Sequence, residues 1–291
     1  LWLWLLFGHL LSDFIFQNRR MIDLKTRHLT KGLLAHCFIH LLVYVVLLSF
    51  YWLLFGGSIL MMLLAVVLIT ITHFFVDYAK IKSIRRIRST LGQTLLFVTD
   101  QMIHIFAIVV VLHFLTLEPF SMTSIYNGFV SLINGTIIWN EMERGLALGC
   151  IFILVTFGAG YFLGILLKDF TPKDDIQKDH YTIANEKTEV RTRMLPNGER
   201  ESEMMTVKTE HLYRDSPQKI GRYIGMLERL MIVVLLLLQL PHGLAFIAAL
   251  KSLTRFKQFD NKQFAEYYLI GTFSSSLIGL IFGVLAFAVI Q

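Results

Sequence analysis

Six apolar runs, each long enough to cross a hydrocarbon layer, dominate the sequence at about residues 32–55, 58–79, 94–116, 146–167, 230–250 and 267–290. A helix rising about 1.5 Å per residue needs roughly 20 such residues to span a bilayer core. Residues 1–16, opening "LWLWLLFG", make a seventh and shorter run, read as a transmembrane helix whose start is trimmed. A cleaved signal peptide is the alternative, but neither a basic leading region nor a small-residue cleavage site precedes Gln17. With 55% hydrophobic and 16% charged residues and a mean hydropathy of +0.61, the composition excludes an ordinary soluble domain. The expected fold class is all-α, a polytopic transmembrane helix bundle of about seven spans. Cys37 and Cys150 both fall inside spans and form neither a disulfide framework nor a metal-type spacing.

Short loops orient the spans. Residues 17–31 carry five Lys/Arg against one Asp, and residues 80–93 carry five Lys/Arg and no acid, which makes both cytoplasmic. The net charge of +6 is then a topological bias and an affinity for anionic membrane lipids, with no motif for nucleic acid. The chain divides into a four-helix bundle at 1–116, a far-side loop and fifth span at 117–167, a charged cytoplasmic insert at 168–228 and a transmembrane pair at 229–291. Within the insert, "TEVRTRM" and "SEMMTVKTE" alternate around Pro-Asn-Gly, the pattern of a small β-hairpin. One conflict remains: strict alternation puts the basic loop 251–266 outside. Either residues 120–139 enter the membrane, or "QLPHG" at 239–243 breaks the sixth span into a re-entrant hairpin, or the positive-inside rule is violated.

Polar residues recur on the first four spans at one spacing. His9 and Asp13, His36 and His40, His73 and Asp77, and Asp100 and His104 are all i,i+4 pairs, so both members of each share a helix face. Ionisable residues inside a membrane are costly unless they face a bundle interior and find partners, which makes each a candidate functional residue. Because alternate helices run in opposite directions, the deeper members counted from the cytoplasm are His9, His40, His73 and His104. The shallower ones are Asp13, His36, Asp77 and Asp100. A four-helix bundle would stack them as two layers, with Gln17, Lys80 and Gln101 beside them as supporting partners.

Imidazole and carboxylate at this spacing suit a divalent transition metal, zinc first. The expected ligands are His9, His36, His40, His73 and His104, with Asp13, Asp77 and Asp100 as further ligand or general base. The leading function is a metal-dependent membrane hydrolase acting on a lipid-linked or amphipathic substrate. A cation- or proton-coupled transporter or channel component is the alternative, as is a structural protein with a metal-free polar core. His28, in a basic loop, and His113, near the far end of the fourth span, read as interfacial or structural, and His180, His211 and His242 are not counted among the expected ligands. In the C-terminal half, Glu228, Arg229, Lys251, Arg255 and Glu266 read as interface anchoring and ion pairing, or with Lys251 and Arg255 as a patch for an anionic headgroup.

"GHLLSDFIFQ", "LLAHCFIHLL", "ITHFFVDYAK" and "FVTDQMIHI", in this order, resemble a family of bacterial multipass membrane proteins known as domain of unknown function 3307. "GRYIGMLERLMIVVLLLL", "FIAALKSLTRF" and "FAEYYLIGTFSSSLIG" resemble the C-terminal half of its longer members. The resemblance implies a bacterial inner-membrane setting and one residue set of His9, Asp13, Gln17, His36, His40, His73, Asp77, Asp100, Gln101 and His104. It implies no substrate.

Overall fold

The architecture was described from a computed structural model. It describes the chain apart from residues 116–126, 129, 132–136, 138, 172–179, 195–197, 199, 215–218, 257, 258 and 261. Most of the expected far-side loop, with Glu118, and the Pro-Asn pair of the insert lie outside the described residues. The chain forms two compact units, Leu1–Phe170 with Tyr223–Gln291, and Thr171–Arg222.

The first unit is helical. Helix α1 (Trp2–Leu10) runs on into a π-helical turn, Leu11–Phe16, followed by a short α2 (Arg19–Arg27). Then come α3 (Leu29–Phe55), α4 (Ile59–Ile84) and α5 (Thr90–Phe114). Helix α6 covers Glu141–Leu166 and carries a second π-helical stretch at Leu154–Gly158. Polar caps set these boundaries: Asn18, Ser58 and Ser89 each accept a bond from the amide three residues on, and Asn140 with Glu143 forms a capping box on α6. Gly56 and Gly57, both at positive φ, make the tight turn between α3 and α4.

Five helices among the described residues are long and apolar enough to cross a membrane: α3, α4, α5, α6 and α9 (Lys262–Ile290), with Trp2–Phe16 a shorter apolar helix. Phe38, Phe75 and Phe106 are exposed on α3, α4 and α5, whereas the histidines of the same helices are buried. That inverted arrangement is what a bilayer demands of a bundle and water does not. The chain is a membrane protein.

The run at residues 230–250, expected as one span, is not a single helix. Helix α7 (Lys219–Leu237) ends there, and α8 (Gly243–Arg255) begins after a turn. The amides of Gln239 and Leu240 bond back to the carbonyls of Leu236 and Leu235, and Gln239 adopts φ 57°, a Schellman stop with Pro241 just beyond. The two helices return antiparallel, because Lys251 near the end of α8 donates to Glu228 at 2.6 Å. Ile232 and Leu236 of α7 pack on Gly279 and Gly283 of α9, so those helices run parallel, and Gly271 of α9 sits by Leu167 at the end of α6. The start of α9 therefore lies at the same end of the unit as Asp169, which bonds Thr90 at the start of α5. The sixth run is thus broken at "QLPHG", while residues 120–139, where the first alternative falls, lie largely outside the described residues.

In the second unit β1 (His180–Met194) and β2 (Arg200–Arg214) pair antiparallel, His180 opposite Arg214 and Met194 opposite Arg200.

Candidate metal centre

Helices α1, α3, α4 and α5 bring all four polar pairs into one buried cluster. The deep histidines form a layer of rings: centroids of His40 and His73 lie 3.9 Å apart, His73 and His104 4.2 Å, His9 and His104 5.0 Å, and His9 and His40 5.6 Å. Four imidazoles surround Asp13. Its Oδ1 is 3.1 Å from His36 Nε2 and 3.0 Å from His40 Nε2, and those nitrogens are 3.3 Å apart. His73 Nε2 lies 3.7 Å from the same oxygen, and His9 Nε2 lies 3.7 Å from Oδ2. Asp13 reaches this position from the π-helical turn, a local widening of the helix that recurs at functional sites.

Three groups could hold an ion: His9, Asp13, His40 and His73; His36, His73 and Asp77; and Asp77, Asp100 and His104. The four-ligand group thus combines three deep histidines with Asp13, and His104 falls with the other two aspartates. Ligand atoms about 2.1 Å from a tetrahedral ion lie about 3.4 Å apart, close to the 3.0 and 3.7 Å contacts to Asp13.

Hydrogen bonding leaves a specific deficit. Both ring nitrogens of His73, Nδ1 of His36 and of His40, and Nε2 of His104 are buried and lack a hydrogen-bond partner. No tautomer of His73 removes its deficit, and an unpartnered buried polar group costs about 1–3 kcal/mol. His104 is a different case, since its Nδ1 lies 2.8 Å from the backbone carbonyl of Asp100. A carbonyl can only accept, so Nδ1 carries the proton and Nε2 presents a lone pair, the arrangement that orients a metal-binding imidazole. These donors fit a metal ion.

The supporting residues take defined places. Gln101 donates to Asp13 and to Asp100, each at 3.1 Å, and its Oε1 is 3.4 Å from His9 Nε2. Lys80 donates to Asp100 at 2.6 Å and is 3.6 Å from Asp77. Gln17 accepts from Lys25 at 3.3 Å, and Lys25 itself donates to Asp77 at 2.7 Å. Lys25 is the residue that sequence reasoning missed, having counted it only in the basic loop. A faint signal existed in "NRRMIDLKTR", where Met21, Ile22 and Lys25 can share a helical face.

Beyond the deep histidines the bundle closes. Leu5, Tyr44, Leu48, Val66, Ile69 and Ile108 are all buried in one apolar cluster, each lying past its helix's histidine on the side away from the carboxylates. A separate apolar cavity of about 470 Å³, lined by Phe7, Leu11, Gly149 and Val233 among others, sits on another face of α1. Lys251 and Arg255 sit on α8, where Lys251 is tied to Glu228. Arg229 is buried and donates to the carbonyls of Val155 and Thr156 at 2.6 and 3.0 Å and to Ser275 Oγ at 3.2 Å.

Neither a curated protein nor a solved structure matches the chain. Residues 1–132, which hold every member of the His/Asp cluster, match the family model described as "Protein of unknown function (DUF3307)".

Proposed function

We propose that the N-terminal bundle is the metal centre of a membrane hydrolase, set in a bacterial inner membrane and acting on a lipid-linked or amphipathic substrate. The observation that carries the metal is the convergence of His9, Asp13, His40 and His73, with His73 lacking a hydrogen-bond partner at either ring nitrogen. His9, Asp13, His40 and His73 hold the ion, and zinc suits three imidazoles with one carboxylate. Such an ion supplies an activated water near neutral pH. Gln101 and His36 fix the Asp13 carboxylate. Asp77 and Asp100, each bonded to a lysine, are the carboxylates within the same cluster that can take a proton from an attacking water.

The apolar cluster behind the histidines favours a site entered and left from one end over a path for protons or cations. Proton and cation pathways through a membrane are marked by ionisable residues. Elemental analysis of the purified protein beside His40→Ala and Asp77→Ala tests the reading. We expect stoichiometric metal in the wild type and its loss in His40→Ala; a metal-free wild type sinks the metal centre. Flux of the bound ion in proteoliposomes would turn the function to transport.

A further inference from the structure

Lys25 enters the site by design of the backbone. A Cβ added to Gly32 of α3 would stand 2.5 Å from both the Cα and the N of Lys25 and 2.8 Å from the carbonyl carbon of Leu24. Only glycine at that position lets α2 come down onto α3, and the buried ammonium of Lys25 then reaches Asp77 and Gln17. Lys80 approaches the same carboxylates from α4, its side chain 26% exposed.

An ammonium has three donors. Lys25 uses one on Asp77 and one on Gln17, and Lys80 uses one on Asp100, which leaves each a further N–H. Asp77 links them to the histidines, with its Oδ2 3.8 Å from His36 and 4.0 Å from His73. Charge points the same way. Asp13, Asp77 and Asp100 against Lys25 and Lys80 leave one negative charge with neutral histidines, so a divalent ion makes the cluster singly positive. An uncompensated buried charge is expensive, and an anion removes it.

We propose that Lys25 and Lys80 form an oxyanion clamp at the lip of the metal centre, and that the substrate carries a phosphate group. The catalytic use of the clamp rests on the metal reading above; its binding of phosphate is measured separately. The full-length protein, loaded with zinc in detergent, is titrated calorimetrically with inorganic phosphate. Wild type binds it, and Lys25→Gln and Lys80→Gln each weaken binding about ten- to a hundredfold, the worth of one charge-assisted hydrogen bond. Zinc stoichiometry stays unchanged, as does phosphate binding in Lys251→Gln. Lys25→Arg keeps the charge and guards against a folding defect in the glutamine variant, retaining most of the affinity. No phosphate binding by the wild type, or wild-type affinity in both glutamine variants, overturns the clamp.

Repeating the titration in nanodiscs of phosphatidic acid or phosphatidylcholine separates the sources of the phosphate. Competition by phosphatidic acid assigns a lipid headgroup, and its indifference assigns a soluble phosphate. A wild type without metal refutes the metal centre and with it the charge argument, but phosphate binding that falls in both glutamine variants still upholds the clamp through the lysine donors.

Discussion

Two regions of this molecule bury charge beside a π-helical stretch, and they use it differently. Around Leu154–Gly158, Arg229 bonds two backbone carbonyls and Ser275, tying α7 to α6 and α9. Around Leu11–Phe16, Asp13 meets a ring of imidazoles whose nitrogens are in part left without partners. Phe14 of the first stretch approaches Gly158 of the second, so the two are packed neighbours. The difference teaches how to tell a structural buried charge from a functional one. A satisfied group is doing packing, whereas convergent lone pairs without donors are waiting for a ligand.

The comparison is broken most directly at Arg229. Arg229→Met leaves the carbonyls of Val155 and Thr156 without that donor, and should destabilise the protein by about 2–6 kcal/mol, the cost of two buried acceptors left unsatisfied at about 1–3 kcal/mol each. Thermal unfolding in detergent reads this, and metal per folded chain should not change. A drop in metal content at constant fold would erase the distinction between the regions.

His73→Ala reverses the pattern. Metal affinity falls at least about a hundredfold, more than the loss of an outer hydrogen-bond partner. The metal-free protein loses no hydrogen bond with the deleted ring, so its stability falls only by the cost of the cavity left behind. Competition with a chelator measures the first effect and unfolding of the stripped protein the second.

Gly32→Ala sharpens the comparison within the site. The added methyl forces α2 away from α3 and should cost about 1–3 kcal/mol, in the range of overpacked cores. Lys25 is withdrawn from Asp77, so phosphate affinity falls while zinc stays bound. The smallest effect is expected at the turn between α7 and α8. Gln239→Gly relieves a positive φ and should raise stability by about 0.5–1 kcal/mol without touching metal or phosphate binding.

Much of the site was legible because helical periodicity is local. An i,i+4 spacing puts His9 with Asp13 and His73 with Asp77 on one face whatever surrounds them, and alternating helix direction sorts the members by depth. The layer of deep imidazoles follows from those two facts. What alternation could not resolve was the run at 230–250, since hydropathy is blind to chain direction. "QLPHG" signalled a break, but only the Glu228–Lys251 contact says that the chain turns back. Lys25 was hidden for the same reason, as a cation in a basic loop looks alike whether it faces water or Asp77.

The sequence by itself determined that the chain is a helical membrane protein and that its first four helices carry paired polar faces, because apolar length and residue spacing act within one helix. Only the tertiary structure decided that Asp13 joins the histidines more closely than His104 does, that α2 delivers Lys25, and that α7 and α8 double back. Those outcomes depend on how close two helices can come, which is set by a glycine on one and the side chains of the other.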